Sequence, residues 1–159
     1  MNLKYQAKHY DEYLSLRIPF FLWLSVIYSV CHYLLLVLPA LLPIDMTDID
    51  WIATQSNKAF LVNDILGIFV LWASGNRISS APSFAHKIWK NGKKLLLANM
   101  SLNFLLFLYV NNDLVVVFNQ QNFFLLSVGL LPNILIISYL VRSDLINDVF
   151  AELPIPPTS

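Results

Sequence analysis

The apolar residues of the chain fall into four long blocks separated by short polar segments. The blocks cover residues 19–42, 59–75, 95–110 and 123–141. A helix that crosses the hydrocarbon core of a bilayer needs about 20 apolar residues. The pattern therefore predicts an all-α integral membrane protein with four transmembrane helices. We expect them to form a compact bundle in one membrane domain over residues 1–159.

The end of the third block allows two interpretations. Asn111, Asn112 and Asp113 interrupt the apolar pattern, and a short apolar stretch follows as far as Phe118. Either the helix stops near Val110 and this stretch returns to the interface as a re-entrant loop, or the helix continues to Phe118. The polar residues favour the first alternative.

Composition agrees with a membrane protein. The chain is 57% hydrophobic and 13% charged, with a mean hydropathy of +0.62, whereas soluble domains carry about 25% charged residues. Little sequence lies outside the four blocks, so we expect no separate soluble domain. The polar leader before the first block contains Asp11 and Glu12, and the apolar run behind it is too long for a signal peptide. The first block is therefore expected to remain as a membrane anchor.

Basic residues are concentrated in alternate polar segments. Nine of the ten lysines and arginines lie in the leader, in the loop at 76–94 or in the tail at 142–159, and only Lys58 lies elsewhere. Short cytoplasmic loops are enriched in Lys and Arg. The distribution predicts a cytoplasmic loop 76–94, a cytoplasmic tail and both termini in the cytoplasm, which requires an even number of spans.

The basic loop also has the pattern of an interfacial helix. From Pro82 to Lys94, three large apolar side chains alternate with lysines, which gives an expected lipid-contacting set of Phe84, Lys87, Ile88, Trp89, Lys90, Lys93 and Lys94. A basic amphipathic helix can bury its aromatic residues at the headgroups and pair its lysines with anionic lipid. The alternative interpretation is that these lysines only fix the topology and flank the third span.

Five of the polar residues inside the apolar blocks are singled out as candidates: Asp64, His32, Asn99, Asn103 and Asn133. Ionisable groups at membrane depth are costly and are candidates for functional sites. The predicted topology places Asp64 and His32 at similar depths, so a contact between them is allowed. They are interpreted either as a proton-relay or substrate-gating pair, or as structural residues satisfied by the helix terminus and neighbouring carbonyls.

The three asparagines also allow two interpretations. Asn99 and Asn103 share one helix face, and Asn133 follows Pro132, which leaves a carbonyl one turn back without its usual donor. Interhelical hydrogen bonds in membranes are worth about 1 kcal/mol. Helix association is the favoured role, and lining of a polar path is the alternative.

Sequence motifs for catalysis or metal binding are lacking. The chain has no glycine-rich phosphate loop, no HExxH and no cluster with metal-ligand spacing. Asp45, Asp48 and Asp50 supply too few oxygen ligands for a calcium loop. We therefore expect no enzymatic activity, no catalytic residue, no metal, no cofactor and no nucleic-acid partner.

Several short stretches resemble the YfeZ-like family of small uncharacterised bacterial inner-membrane proteins. They are Tyr10-Asp11-Glu12-Tyr13 in the leader, Ala73-Ser74-Gly75-Asn76-Arg77 after the second block, Trp89-Lys90-Asn91-Gly92-Lys93 before the third, and Asp148-Val149-Phe150 with Pro154 in the tail. The resemblance implies a multi-span protein of the bacterial inner membrane folded as a helical bundle. It implies no activity and supplies no site residue.

Two functions are weighed on these grounds. The first is a non-enzymatic accessory, assembly or interaction subunit, in which an apolar edge of the tail (Leu145, Ile146, Val149 and Phe150) docks on the bilayer or on a membrane-protein partner. The second is a small oligomeric transporter or channel subunit in which Asp64, His32 and the membrane asparagines line the path. Convergence of these side chains on one water-filled cavity favours transport, whereas separate pairs in a dry interior favour the first function.

Overall fold

The computed structural model describes residues 5–6, 10, 16–41, 58–78, 81–112 and 120–152. These residues form seven helices: α1 Phe20–Tyr28, α2 Cys31–Leu41, α3 Lys58–Gly75, α4 Ser83–Lys90, α5 Gly92–Val110, α6 Gln120–Arg142 and α7 Asp144–Ala151. The β-pairing in this part of the chain is an isolated antiparallel bridge between Tyr10 and Leu16. The all-α fold class is confirmed for the described residues.

The first apolar block forms two helices rather than one. α1 ends at Tyr28, Ser29 and Val30 form a turn, and α2 begins at Cys31. At the turn the Val30 N–H bonds to the Ile27 carbonyl three residues back, at 3.2 Å, and the Ser29 hydroxyl donates to the Val26 carbonyl at 2.6 Å. Serine hydroxyls that bond back to the helix compete with the backbone ladder and bend it. The block expected to supply the first span, 19–42, therefore contains two helices with a break at Ser29 and Val30.

Two helices, α3 and α5, are each long and apolar enough to cross a membrane. Within the described part of the chain, a third crossing is obtained when Leu126–Arg142 and Asp144–Ala151 are taken together as a pair bent by 74°. The described structure is thus that of a helical protein with two to three candidate spans, as expected for a membrane protein. α5 ends at Val110, and the alternative extension to Phe118 falls on 113–119, outside the described residues, as do the three aspartates at 45–50.

The packing is organised around α3. This helix contacts α1, α2, α4 and α5, and α5 in turn packs against α6 and α7. Gly67 of α3 lies so close to the backbone and hydroxyl of Ser29 that a Cβ atom would overlap both. The missing side chain lets α3 approach the break in the first block, the usual role of small residues between membrane helices.

Apolar side chains dominate the outer surface of the long helices. Large hydrophobic residues are exposed along α1, α3, α5 and α6, among them Phe21, Val62, Leu105, Val128 and Leu135. Buried polar residues lie on the opposite, inner faces. This inside-polar, outside-apolar arrangement suits a lipid environment, because hydrocarbon solvates exposed leucine and phenylalanine as well as a protein core does.

The tail helix α7 folds back onto its own chain. Ile146, Val149 and Phe150 are buried in the hydrophobic core, and α7 contacts both α4 and α5. The expectation that this apolar edge is available to the bilayer or to a partner is wrong, because the amphipathic helix α4 already covers it.

Candidate functional site

The break between α1 and α2 exposes backbone groups that neighbouring helices satisfy. His32 is the second residue of α2, so its N–H has no acceptor within that helix. The carboxylate of Asp64, in α3, accepts this N–H at 3.1 Å through Oδ2. The Ser29 carbonyl on the other side of the turn accepts a hydrogen bond from Asn99 Nδ2 of α5 at 3.5 Å. Broken helices are tolerated at membrane depth only where protein groups take over in this way.

The same carboxylate holds the imidazole of His32. Nδ1 lies 3.0 Å from Asp64 Oδ2, and because an ionised carboxylate only accepts, the tautomer assigned here carries the proton on Nδ1. The ring stacks on Phe60 with centroids 4.7 Å apart. The side chains of His32 and Asp64 are only 5% and 0% exposed. The contact that the sequence allowed is therefore present, and it is enclosed by protein.

Cys31 completes a small cluster with this pair. Its sulfur lies 3.7 Å from His32 Nδ1, and one ligand atom from each of Cys31, His32 and Asp64 lies within 4.8 Å of the other two. The second carboxylate oxygen of Asp64, Oδ1, is buried and has no hydrogen-bond partner in the described part of the chain. Sulfur, nitrogen and oxygen donors are thus gathered at the start of α2.

A second polar pair joins α3 to α5 beside this cluster. Asn63 Nδ2 donates to the Asn99 carbonyl at 3.0 Å, and Asn99 Nδ2 donates to the Asn63 carbonyl at 2.9 Å. Both residues are buried. Sequence reasoning singled out Asn99 but missed Asn63, although a second polar residue next to Asp64 in an apolar block was a usable signal.

Asn133, in α6, contacts the last residue of α1. Its amide donates to the Tyr28 hydroxyl oxygen at 3.1 Å and to the Gly129 carbonyl at 3.2 Å. A proline at position 132 leaves the carbonyl of Val128 without its helical donor, whereas the carbonyl that the Asn133 amide bonds is that of Gly129, one residue further on.

Asn103 is also buried, and its Oδ1 has no hydrogen-bond partner among the described residues. Four of the five predicted polar residues form pairs: His32 with Asp64, Asn99 with Asn63, and Asn133 with Tyr28. A pocket of about 410 Å³ lies elsewhere and is lined by Tyr5, Tyr10, Leu16, Asp148, Ala151 and Glu152.

The predicted lipid-contacting set is divided by the structure. Phe84 is 57% exposed, and Lys87, Lys90 and Lys94 are exposed beside it. Lys93 is only partly exposed and donates to Asn147 Oδ1 at 2.8 Å. This leaves an exposed basic surface of three lysines and one phenylalanine.

Ile88 and Trp89 do not belong to that surface. Both are buried, with Trp89 only 1% exposed. The Trp89 Nε1–H donates to the Val149 carbonyl at 3.0 Å, and its ring packs against Phe150 with centroids 4.6 Å apart. The expectation that these two residues contact lipid is wrong, because α7 covers the apolar face of α4.

Arg77 makes structural contacts that the charge pattern of the sequence did not predict. Its guanidinium donates to the Leu16 carbonyl at 2.6 Å and to the Glu152 carbonyl at 3.4 Å, and it lies 5.3 Å from the centre of the Trp89 ring. The Glu152 carboxylate accepts the Leu16 N–H at 3.1 Å. Arg77 thereby connects the leader, α4 and the tail at one end of α3.

Comparison with family models gives a match to "Protein of unknown function (DUF2919)" over residues 5–152. No curated protein and no solved structure matches the chain. The family match extends over all the polar contacts described above. The YfeZ-like name inferred from short motifs stays a prediction.

Proposed function

The chain belongs to the DUF2919 family of proteins of unknown function, and we propose that it is a non-enzymatic accessory or assembly subunit of the bacterial inner membrane. The observation that carries this proposal is the pairing of its buried polar side chains. Each interhelical pair joins neighbouring segments, as in the Asn63–Asn99 bonds between α3 and α5. Such bonds hold membrane helices together, and the surface outside the bundle is then the part available to a partner.

The proposed topology has four spans and both termini in the cytoplasm. The first crossing consists of α1 and α2 in sequence, and the others are α3, α5 and α6. Support comes from the basic residues of the leader, the loop at 76–94 and the tail, which this arrangement collects on one side. The contacts of Arg77 with Leu16 and Glu152 are consistent with this arrangement, because they bring leader, loop and tail together.

The exposed basic surface (Phe84, Lys87, Lys90 and Lys94) is proposed to contact anionic lipid headgroups. Juxtamembrane lysines are attracted to an anionic leaflet by about 1 kcal/mol each. Phe84 contacts Trp72 of α3, with ring centroids 6.1 Å apart, so the aromatic side chain adjoins the end of a candidate span. This contact orients the basic surface relative to the bilayer.

A transporter or channel subunit is the second candidate. The observation that favours it is the buried His32–Asp64 pair at a broken helix, because substrate and ion sites of transporters are commonly built at discontinuous helices. Asp64→Asn then abolishes a proton-coupled flux in reconstituted vesicles while the protein still assembles. Unchanged flux in that variant excludes Asp64 as the coupling group.

The proposed function is tested by purifying the full chain in native nanodiscs and identifying what accompanies it by quantitative mass spectrometry. We expect a second membrane protein in fixed stoichiometry, recovered equally with tags at either terminus. A matched preparation of an unrelated four-span protein of similar size removes background proteins. A homo-oligomer with no partner contradicts the accessory role and favours transport.

Reporter fusions at the termini and within 42–57 test the topology, and a cytoplasmic location of 42–57 contradicts it.

A further inference from the structure

We propose that Cys31, His32 and Asp64 form a binding site for a divalent transition-metal ion of the zinc class. The site lies at the junction of α2 and α3, and none of its three residues was identified as a metal ligand from the sequence. One donor atom from each residue lies within 4.8 Å of the other two. The inference is independent of the proposed accessory role, because a metal at this position connects two helices whatever the outer surface binds.

The separations between donor atoms suit a tetrahedral ion. Zinc bonds of about 2.0–2.1 Å to nitrogen and oxygen and about 2.3 Å to sulfur place neighbouring ligand atoms roughly 3.3–3.6 Å apart. The Cys31 sulfur is 3.7 Å from His32 Nδ1, and Nδ1 is 3.0 Å from Asp64 Oδ2. Small side-chain rotations, including one that turns Asp64 Oδ1 towards the ion, bring three ligands onto one face of a tetrahedron, with a fourth position for water or another ligand.

The Asp64 carboxylate is suited to two roles at once. Oδ2 accepts the backbone N–H of His32, which fixes the carboxylate at the start of α2. Oδ1 is buried without a hydrogen-bond partner among the described residues, although a buried polar oxygen left unpaired costs about 1–3 kcal/mol. Coordination through Oδ1 removes that cost, and the N–H bond to Oδ2 acts as the orienting contact that metal ligands commonly have.

Charge balance favours a divalent ion in this buried position. A thiolate from Cys31 and a carboxylate from Asp64 neutralise two positive charges, so the occupied site has no net charge in a surrounding of low dielectric constant. Both anionic ligands lie beside the N-terminus of α2, where the helix dipole favours negative charge. The remaining ligand, the imidazole of His32, binds a metal through Nδ1 as the neutral tautomer that is protonated at Nε2, so the ion takes the place of the Nδ1 proton.

The donor set also selects the class of metal. Calcium and magnesium prefer oxygen ligands, whereas a thiolate with an imidazole suits zinc and neighbouring transition metals. The half-buried position of Cys31 contrasts with the buried His32 and Asp64, so the open fourth position is expected on the sulfur side of the cluster.

The test uses the full chain with a tag that contains no histidine, purified in gentle detergent from cells grown with added zinc. Metal content measured by mass spectrometry is expected to be close to stoichiometric. After exchange for Co²⁺, a thiolate-to-cobalt charge-transfer absorption band is expected. Cys31→Ser should remove this band and lower the affinity for Zn²⁺ at least about tenfold. His86→Gln is the matched control, because His86 lies outside the cluster and its ring contacts the Ile78 carbonyl.

Folding is monitored separately, since Asp64 also contacts the His32 backbone. Cys31→Ser changes one atom, and it should elute and melt like the metal-free wild-type protein while losing the rise in melting temperature that Zn²⁺ causes. Absence of bound metal and of the cobalt band in the folded wild-type protein overturns the proposal. Metal binding that is unchanged in Cys31→Ser, or equally reduced in His86→Gln, also overturns it.

Discussion

Asn63 and Asn99 each donate a side-chain amide hydrogen bond to the backbone carbonyl of the other, at 3.0 and 2.9 Å. The two bonds are reciprocal, yet neither requires the partner's side chain as an acceptor. Both residues are buried between α3 and α5. The arrangement holds α3 and α5, the two single helices that are candidate spans, in a fixed register at the level of the broken first block.

Replacing either asparagine with alanine should weaken the bundle by about 1 kcal/mol, the usual value for such bonds in membranes. Asn99→Ala is expected to have the larger effect because its amide also reaches the Ser29 carbonyl. Each acceptor is a backbone atom that survives substitution, so the coupling energy of the double variant should stay below either single effect. The measurement is equilibrium unfolding in mixed detergent micelles. A coupling energy as large as either single effect contradicts the described geometry.

Asn103 is expected to behave differently from Asn99 although the two share a helix face. Its Oδ1 is buried without a hydrogen-bond partner in the described part of the chain. Replacing a poorly satisfied polar group with an apolar one of similar size is often neutral or stabilising. Asn103→Leu should therefore leave the free energy of unfolding unchanged or raise it, in the same assay. A loss of more than about 1 kcal/mol would show that Asn103 has an important polar partner in the folded protein.

Gly67 and Gly75 make a matched pair for testing the close approach of α3 to the break. A Cβ atom at Gly67 would overlap the hydroxyl and carbonyl of Ser29, whereas at Gly75 it meets nothing within 4 Å. Overpacking of this kind costs about 1–3 kcal/mol, so Gly67→Ala should lower stability by that amount. Gly75→Ala should be neutral or slightly stabilising, because alanine has the higher helix propensity. Equal stabilities of the two variants would contradict the packing at Ser29.

Most of the helices could be predicted from the sequence. The second block, expected over 59–75, forms α3 over Lys58–Gly75, and the polar residues after the third block coincide with the end of α5 at Val110. These features depend on local composition. The break at Ser29 and Val30 was not predicted, because serine and valine inside an apolar run are compatible with a continuous helix. The turn is stabilised by Asp64 and Asn99, which come from other parts of the chain.

The candidate site could be predicted only in part, because it too depends on contacts between distant parts of the chain. His32 and Asp64 were recognised as costly groups in an apolar setting, but Cys31 was treated as a single thiol although it is adjacent to His32. Its relation to Asp64, more than 30 residues away, depends on how α2 packs on α3. Trp89 was misassigned because an amphipathic pattern shows that one face of α4 is apolar without showing whether lipid or α7 covers it.

The exposed basic surface should bind anionic lipid in proportion to its lysines. Lys90→Gln is expected to weaken retention of phosphatidylglycerol by about 1 kcal/mol, or roughly fivefold, since each lysine near the surface contributes about that much. Lys93→Gln is the matched control, because the Lys93 ammonium already donates to Asn147. Native mass spectrometry of protein released from mixed-lipid nanodiscs measures the retention. Equal losses for Lys90→Gln and Lys93→Gln would contradict a lipid-binding role specific to the exposed lysines.

Lysine should be unable to replace Arg77 but able to replace Arg142. The planar guanidinium of Arg77 bonds the Leu16 and Glu152 carbonyls at once and lies over the Trp89 ring, and an ammonium cannot reproduce both contacts with its smaller, tetrahedral set of donors. Arg77→Lys should therefore loosen the leader and the tail together, and limited proteolysis should cut both ends several times faster. Arg142→Lys, on the exposed end of α6, keeps the same net charge and should be cut at the wild-type rate. If Arg77→Lys is as resistant as Arg142→Lys, the positive charge alone holds this end of the molecule and the geometry of the guanidinium does not matter.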